Sequence, residues 1–312
     1  MTEGLDVLQA TKRYDGADVD ALSAVTFEVA PGEVCCIIGR NGAGKSTLMS
    51  SIVGLTRLTD GVVTLGGVSL PDSAELRRRV GFAAQSEALY PLLSGRQNLA
   101  TFGRLAGFDS AEIDRRIADL SPRLSLSDFL DRPVRQLSGG ERRRVHVAAA
   151  LIADVDVVML DEPTAGVDPV TRADVLTLAS DVAASGAIVL YSTHYLQEVE
   201  ELDGQVVMLE QGRVVAQGTV SHLLARHASS VVRMRFGREI DVTRLPWQVR
   251  WDELVLTVSL ANPDEELPRL LHHLGDATVH LQSLDVIEPT LDRVFMDLTG
   301  TGLTPGAEDG GR

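Results

Sequence analysis

Short apolar runs and amphipathic segments follow one another through the first part of the chain. Three runs are apolar at almost every position, which is typical of strands buried on both faces of a parallel sheet: residues 34–39, 155–160 and 187–192. Apolar residues recur at helical spacing from Leu48 onward and in residues 170–184 and 195–202. Strands that alternate with helices in this way predict an α/β core with a parallel sheet.

Further elements are predicted around this core. Alternating positions between residues 5 and 65 favour strands, with clear examples at 25–29 and 62–65. Residues 88–152 are dominated by helical spacing, and the predicted helices are 96–106, 111–120 and 141–153. A hairpin is predicted around Gln211-Gly212, with strands at 206–210 and 213–216.

The pattern changes near Leu224, where a second set of elements begins. Strands are predicted at 231–236, 254–260 and 278–286, and helices at 267–274 and 289–298. We therefore predict a first domain at residues 1–226 and a small α+β domain at 227–300. The rest, 301–312, is Gly-rich and polar and is predicted to be disordered.

The composition excludes some classes of function. The net charge of −15 and the pI of about 4.9 are wrong for a nucleic-acid binder, which needs a basic surface, so no nucleic acid is expected as partner. No apolar stretch reaches the roughly 18 residues of a transmembrane helix, so we expect any membrane association to come through a partner. Cys35 and Cys36 are adjacent in a predicted strand, poorly placed to bridge, and indicate a reduced cytosolic compartment.

A Gly-rich loop follows the first buried run and precedes a predicted helix. It matches G-x-x-x-x-G-K-[ST] and consists of Gly39, Arg40, Asn41, Gly42, Ala43, Gly44, Lys45, Ser46 and Thr47. The glycines let successive backbone N–H groups face phosphate oxygens, and Lys45 supplies a compact charge for the β- and γ-phosphates. The Ser46 hydroxyl is a candidate Mg²⁺ ligand. A chance Gly-rich turn is the alternative, and the flanking strand and helix argue against it.

Two adjacent carboxylates end the second buried run. The carboxyl end of a parallel strand lies at the sheet edge where ligands bind, so Asp161 can hold Mg²⁺ and Glu162 can orient and deprotonate an attacking water. An N-cap for the following helix is the alternative interpretation. The pair gains weight from the phosphate loop rather than from its own spacing.

A Ser-Gly-Gly segment precedes the helix predicted at 141–153. Ser138 and Glu141 have the spacing of a capping box, while Gly139 and Gly140 leave the helix end bare enough for an anion to approach. From the residues alone, a capped helix and a second phosphate contact are equally good interpretations.

The combination of these motifs resembles the nucleotide-binding domain of ABC transporters, over residues 5 to about 226. LSGGE at 137–141 resembles the signature LSGGQ, and VDVVMLDEP at 155–163 follows it as it does in the family. The resemblance implies a P-loop NTPase core of ABC type with a helical subdomain at about 88–152, and ATP with Mg²⁺ as ligands. It also implies roles for four further residues: Gln85 senses Mg²⁺, Asp168 lies in the D-loop, His194 contacts the γ-phosphate and Tyr14 stacks on adenine.

The family mechanism is also implied by this resemblance. Two copies of the chain would sandwich two ATPs head to tail, so that each phosphate loop faces Ser138, Gly139 and Gly140 of the other copy. Residues 193–225 and 288–300 look like those of ABC-2 exporter subunits of the daunorubicin-resistance type. The expected partners are therefore a second copy and a separate ABC-2-type permease, which would hold the chain at the cytoplasmic face of the membrane. Drugs, antibiotics, lipids and polysaccharides are the expected export substrates.

The sequence departs from the family pattern at two positions. Glu141 replaces the usual Gln, and a carboxylate near a γ-phosphate is unfavourable, so we expect Glu141→Gln to raise the ATP affinity of the sandwich. Arg40 replaces a common Pro, with little expected effect, because the backbone contacts the phosphates. The arginine runs 77–79 and 142–144 are expected to be solvated or salt-bridged, with a role near phosphate open for the second run. His272, His273 and His280 are expected to be solvated rather than metal ligands.

Three other functions compete with the exporter interpretation. A soluble ABC ATPase acting on ribosomes or DNA is disfavoured by the single ATP domain and the acidic charge. An importer subunit is disfavoured by the short α+β C-terminal domain. A catalytically dead binding module is disfavoured because Lys45, Asp161, Glu162 and His194 are all present.

Overall fold

The computed structural model describes residues 4–227, 230–243, 245–287 and 290–300. The chain forms two compact units that divide between Val220 and Ser221. The division of the chain into a domain at 1–226 and a domain at 227–300 stays a prediction. The predicted disordered tail, 301–312, lies outside the described residues.

The first unit contains ten strands, seven α-helices and one 3-10 helix (Val134–Gln136) among its described residues. The strands are β1 (Leu5–Lys12), β2 (Leu22–Val29), β3 (Val34–Ile38), β4 (Asp60–Leu65), β5 (Val68–Ser69), β6 (Val80–Ala83), β7 (Val157–Asp161), β8 (Ile188–Thr193), β9 (Gln205–Glu210) and β10 (Arg213–Thr219). The helices are α1 (Lys45–Ile52), α2 (Ala74–Arg78), α3 (Gly95–Leu105), α4 (Ser110–Arg123), α5 (Gly139–Ala150), α6 (Pro169–Ala184) and α7 (Leu196–Leu202). A further helix, α8 (Val220–His227), begins at the division between the units.

A six-stranded sheet in the order β10-β9-β3-β8-β7-β6 forms the centre of this unit. Its central strands are parallel, and β3, β7 and β8 are buried at every position because helices cover both faces of such sheets. Ile38 lies beside Thr193, and Asp161 lies beside Ser192. The residues that follow these three strands therefore meet at one edge of the sheet.

A second, antiparallel sheet in the order β2-β1-β4-β5 packs against this core. Leu5, Val7 and Val25 from the second sheet share one apolar cluster with Leu48 and Ile52 of α1, which β3, β7 and β8 also join. Helix α1 is thus held between the two sheets, and this fixes the direction in which the loop before it points.

The second unit is a four-stranded antiparallel sheet in the order β12-β13-β11-β14, with a helical layer. Its elements are β11 (Ser230–Phe236), β12 (Val249–Asp252), β13 (Val255–Leu260), α9 (Pro263–Leu274), β14 (Leu281–Ile287) and α10 (Leu291–Thr299). Inward residues of β11 and β13 alternate with partly or fully exposed ones and pack against Leu270 and Leu274 of α9.

The predicted fold class, an α/β core followed by a small α+β part, is confirmed, while several boundaries are wrong. Residues Gly275–His280 form a 3-10 helix, so the strand predicted from 278 begins only at Leu281. The Thr278 hydroxyl donates to the Gly275 carbonyl at 2.7 Å, which stabilises this turn. Helix α5 ends at Ala150 rather than 153.

No described helix combines the length and the apolar character that a bilayer crossing requires.

Candidate active site

The phosphate loop joins β3 to α1 and depends on glycine at two positions. A Cβ atom at Gly39 would lie 2.4 Å from the Leu209 carbonyl oxygen, which no side chain tolerates. Gly44 has φ of +108°, and a Cβ atom there would lie 2.7 Å from the Ala21 carbonyl oxygen. The sequence G-x-x-x-x-G is therefore required by close backbone approach as well as by the turn.

The start of α1 is built to receive an anion. No side chain caps this helix, whose N-cap residue is Gly44, so the first N–H groups keep their donors free for a ligand. Ser46 and Thr47 lie in this first turn, and Ser46 is exposed. A cavity of about 360 Å³ adjoins the loop, lined by Arg40, Asn41, Gly42, Ala43, His194, Glu210 and Gln211.

Lys45 points back into the loop, and only 6% of the residue is exposed. Its Nζ donates to the Gly39 carbonyl oxygen at 2.8 Å and lies 3.2 Å from Glu162 Oε1. The ammonium group is therefore held at the mouth of the loop, where a phosphate oxygen would compete with Glu162 for it.

Glu162 is the residue on which the predicted catalytic groups converge. Its Oε1 lies 3.4 Å from His194 Nδ1, and its Oε2 accepts a hydrogen bond from Gln85 Nε2 at 3.4 Å. The backbone has φ of +49°, an unusual conformation for a non-glycine residue, and the Glu162 N–H donates to Ser192. Strand β8 thus fixes the direction of a strained residue just beyond β7.

Asp161 is buried directly before Glu162 and faces a hydroxyl. The Ser192 hydroxyl donates to Asp161 Oδ1 at 2.5 Å, which holds one carboxylate oxygen and leaves the other for a ligand. Hydroxyl, carboxylate and amide oxygens are the donor set that Mg²⁺ prefers, so Ser46, Asp161 and Gln85 fit that ion chemically.

The Ser-Gly-Gly segment forms the start of α5 with the predicted capping box. The Ser138 hydroxyl accepts from the Glu141 N–H at 3.2 Å, and the Glu141 carboxylate accepts from the Ser138 N–H at 2.7 Å. A Cβ atom at Gly139 would have no neighbour within 4 Å, so the capped helix end is still open to a ligand. The two interpretations made from the sequence are therefore compatible.

The charge of Glu141 is compensated within the chain. Hydrogen bonds from Ser138 lower the pKa of this carboxyl, and the Arg132 guanidinium, 3.1 Å away, lowers the pKa further. The repulsion expected between Glu141 and a γ-phosphate is therefore weaker than the sequence indicates. The predicted gain of ATP affinity in Glu141→Gln stays a prediction, with a smaller expected size.

Asp168 caps α6 beside this segment. Its Oδ1 accepts from the Val170 and Thr171 N–H groups at 3.0 Å each, and hydrogen bonds from Thr171 lower the pKa of the carboxyl. A Cβ atom at Gly140 would lie 3.6 Å from Asp168 Oδ2. The N-termini of α5 and α6 therefore lie together.

Tyr14 is 47% exposed and leans on the phosphate loop. Its hydroxyl lies 3.3 Å from Thr47 Oγ1, and Lys12 Nζ lies 5.0 Å from the ring centroid. The ring is thus available to a planar ligand and is tied to the first turn of α1.

The structure sorts the predicted residues into two groups. Lys45, Gln85, Glu162 and His194 are in mutual contact through Glu162, with Asp161 joined through Ser192 and Tyr14 through Thr47. Ser138, Gly139, Gly140 and Asp168 form the second group at the starts of α5 and α6.

Sequence reasoning missed two polar residues that support this site. Glu198 is 0% exposed and accepts hydrogen bonds from the hydroxyls of Thr164, Thr193 and Tyr191. Arg143, predicted to be solvated or salt-bridged, is instead buried against two backbone carbonyls. The polar Thr164, Tyr191 and Thr193 within apolar surroundings were the available signal for Glu198. For Arg143 the sequence offers none, because its neighbours Arg142 and Arg144 look alike.

Comparison with known proteins gives a consistent set of similarities. The family model described as "ABC transporter" matches residues 22–165. The chain is 36% identical to Daunorubicin resistance ATP-binding protein DrrA3 of Streptomyces coeruleorubidus, over 93% of this chain and 94% of that protein. It is 31% identical to Linearmycin resistance ATP-binding protein LnrL of Bacillus subtilis, over 90% of this chain and 94% of that protein. A Nod factor export ATP-binding protein I from Cupriavidus pinatubonensis is 36% identical over 78% of this chain and 75% of its own length.

Solved structures with the same fold include an ATP-binding subunit of an ABC transporter. That structure superposes with a TM-score of 0.64 at 31% identity and covers 70% of this chain and 91% of its own. The dimeric ATP-binding cassette MJ0796, in a post-hydrolysis state with ADP and Pi, superposes with a TM-score of 0.64 at 25% identity, over 69% of this chain and 98% of its own.

Proposed function

Because this chain belongs to the ABC transporter family and is an ATP-binding, ATP-hydrolysing subunit, we propose that it energises drug or antibiotic export through a separate permease. One observation carries the proposal. The similarity to the daunorubicin resistance protein spans 93% of this chain and therefore includes the second unit, whereas the similarity to the Nod factor export protein spans 78%. A likeness that extends beyond the ATPase core favours the drug-resistance class over other exporters.

The first group of site residues would hold ATP. The backbone N–H groups of the loop and of the first turn of α1 would bind the phosphates, with Lys45 on the β- and γ-phosphates. Tyr14 would stack on the adenine. The 3.2 Å contact between Lys45 and Glu162 suggests that ATP binding would also prepare Glu162 for catalysis. A γ-phosphate that binds Lys45 would break this ion pair and leave the Glu162 carboxylate free to act on water.

A Mg²⁺ ion would be held by Ser46, Asp161 and Gln85, and would neutralise charge on the phosphates when bound. The Ser192 hydroxyl keeps the Asp161 carboxylate oriented for this purpose. The chain's own residues then determine how water is used. Glu162 would orient and deprotonate the attacking water, and His194 would contact the γ-phosphate and keep Glu162 directed toward it.

The second group would act on the ATP of a second copy. Ser138, Gly139 and Gly140 leave the start of α5 open, and an open helix N-terminus with a positive dipole suits a γ-phosphate. Asp168 lies beside Gly140, which would place it at the same contact between copies. The active form is therefore proposed to be a homodimer that closes on two ATPs.

Coupling to the membrane is proposed to occur through an ABC-2-type permease at the cytoplasmic face. We assign ATP binding to residues 1–226 and treat 227–300 as a separate C-terminal domain. An importer subunit and a soluble ABC ATPase remain alternatives, and one experiment separates them from the exporter.

The experiment is to tag the Glu162→Gln form in its own host and identify what co-purifies from membranes solubilised with ATP and Mg²⁺. This form is expected to bind ATP without turnover and therefore to hold its partners. The expected partner is a membrane protein of roughly six helices, with no solute-binding protein. The matched control is Lys45→Ala in the same background, which is expected to lose the ATP-dependent partners.

Each other outcome points elsewhere. A permease accompanied by a solute-binding protein would assign the chain to import. Recovery of ribosomal or other soluble partners alone would exclude the transporter role while leaving the ATPase chemistry intact.

A further inference from the structure

The three consecutive arginines at the start of α5 have no role in the proposed function. Arg142 and Arg144 are partly exposed, whereas Arg143 is only 7% exposed. The Arg143 Nη1 group donates to the Ala84 and Gln85 carbonyl oxygens, at 3.2 Å each. A buried cation whose donors are committed to main-chain carbonyls is uncommon, because burial of a charge is costly unless its partners are well placed.

Two neighbours on α5 hold the same segment of chain. Arg142 Nε donates to Glu87 Oε2 at 2.8 Å, and His146 Nε2 accepts from the Ala88 N–H at 3.4 Å. Residues 142, 143 and 146 lie on one side of a helix, since positions three and four apart face the same way. Residues 84–88 are thus attached to α5 by both main chain and side chain.

The attached segment contains a residue of the first site group. Gln85 Nε2 donates to Glu162 Oε2 at 3.4 Å, so the Gln85 side chain faces the first site group of its own subunit while its main-chain carbonyl faces Arg143. The other end of the connection is the start of α5, where Ser138, Gly139 and Gly140 are open to a second copy. Helix α5 therefore connects Gln85, which lies at the first site group of its own subunit, to Ser138–Gly140, which would contact the nucleotide of the second copy.

We propose that Arg143 is a positioning residue that couples the two nucleotide sites of the dimer. It joins the main chain of Gln85 to α5, so that the position of Gln85 at one ATP sets the position of Ser138–Gly140 at the other. The inference rests on the proposed ATP-sandwich homodimer. It requires no new chemistry at Arg143, because the residue acts through Gln85 and through the start of the helix.

The test measures ATP-driven dimerisation by sedimentation velocity in the Glu162→Gln background. Arg143→Met removes both hydrogen bonds of Nη1 with little change in volume, and we expect it to weaken dimerisation about tenfold or more. ATP binding to the monomer, titrated below the dimerisation range, is expected to stay within about twofold, since the phosphate loop is unchanged. A purely structural role would lower the thermal unfolding temperature and the monomer affinity together.

Arg144→Met is the matched control on the same helix. Arg144 Nη1 donates to the Ser125 carbonyl oxygen at 3.4 Å, and its guanidinium lies 4.8 Å from the Phe129 ring, so it does not hold residues 84–88. The loss of charge is identical in this variant, yet its dimerisation is expected to match that of the parent.

Two further variants at position 143 complete the test. Arg143→Lys keeps an N–H donor for the carbonyls and is expected to recover most of the dimerisation affinity. If Arg143→Met does not fold, Arg143→Gln serves instead, because the amide is polar but too short to reach both carbonyls.

The outcomes separate this inference from the function on which it rests. If the Glu162→Gln parent itself fails to dimerise with ATP, the proposed sandwich is wrong, and the inference falls with it. If the parent dimerises and Arg143→Met dimerises equally well, or if Arg144→Met loses as much, the coupling role of Arg143 is excluded while the sandwich stands.

Discussion

At the scale of single residues, the site is organised by the charge of Glu162. Its carboxylate has Lys45 at 3.2 Å, and His194 and Gln85 at 3.4 Å each. Each of these partners has a second task in the proposed function, on phosphate or on Mg²⁺. Glu162 therefore competes with ATP for its own neighbours before it can act on water.

This competition makes a prediction for Glu162→Gln. Hydrolysis is expected to fall at least about a hundredfold, the usual contribution of a general base, because an amide cannot take a proton from water. ATP affinity is expected to rise several-fold, because Lys45 loses its ion pair and becomes free for phosphate. Turnover and an ATP titration of the same preparation measure both effects. Glu200→Gln, the same carboxylate-to-amide change at an exposed position on α7, is the control and should leave both quantities unchanged. If Glu162→Gln hydrolysed ATP at more than about a tenth of the normal rate, Glu162 would not be the general base.

At the scale of elements, Glu198 of α7 holds together the two chain segments that carry the catalytic residues. Its carboxylate accepts from Thr164, just after Glu162, at 2.6 Å, and from Thr193, just before His194, at 2.7 Å. Tyr191 of β8 donates at 3.1 Å, and Arg172 Nε of α6 lies 3.3 Å away. Helices α6 and α7, strand β8 and the turn after β7 thus share one buried carboxylate, which fixes the ends of β7 and β8 relative to each other.

Glu198→Gln is expected to loosen these ends without removing a catalytic group. An amide offers one acceptor oxygen where the carboxylate offers two, so at least one hydroxyl is left unsatisfied, at about 1–3 kcal/mol. We expect kcat to fall about tenfold while KM for ATP stays nearly constant, because the phosphate loop is not involved. Tyr191→Phe removes one donor but keeps both Thr contacts, and steady-state kinetics should find it close to the parent. An equal loss in both variants would contradict the role given to Glu198.

The sequence predicts elements best where a single local pattern decides them. The strands β3, β7 and β8 are buried at every position and mostly apolar, and the phosphate loop is set by glycines, so both could be found in advance. Strand β6 and helix α2 are only four and five residues long and carry too little periodicity to be recognised. Arg143 depends on a partner distant in the sequence, Ala84, and no local pattern could reveal it. For Glu198 the hydroxyls of Tyr191 and Thr193 lie nearby in the sequence, but its contact with Thr164, 34 residues away, is made only by the fold.

At the scale of the whole molecule, net charge and one buried histidine respond to acid in opposite directions. The chain carries −15 at pH 7 with a pI of about 4.9, so acidification toward the pI reduces its self-repulsion and favours the folded state. Burial lowers the pKa of His146 to about 4, with the positive charge of Arg143 adding to this and Glu87 opposing it. At a pH below 6.5, the ordinary pKa of histidine, the unfolded chain therefore binds a proton at His146, whereas the folded chain does so only near pH 4.

His146 is therefore expected to make the protein less stable as the pH falls. With the folded pKa below the unfolded one, its contribution is complete above about pH 6.5 and shrinks by about 2 kcal/mol between pH 7 and pH 5. The paired carboxylates lose their contribution only near and below the ordinary carboxyl pKa of about 4, so this window isolates the histidine. Urea unfolding of the parent and of His146→Gln at both pH values measures the effect, at low protein concentration because solubility falls near the pI.

The difference in the free energy of unfolding between the parent and His146→Gln cancels the effect of net charge. The two proteins have the same net charge above pH 6.5 and nearly the same net charge below it. His146→Gln is expected to lower the free energy of unfolding at pH 7, because the Ala88 N–H loses the well-placed acceptor that His146 Nε2 provides. The gap should narrow or reverse by pH 5, because only the parent then has a histidine to protonate on unfolding. A gap that stays constant across this range would mean that His146 titrates alike in both states, and that its burial against residues 84–88 is not maintained in solution.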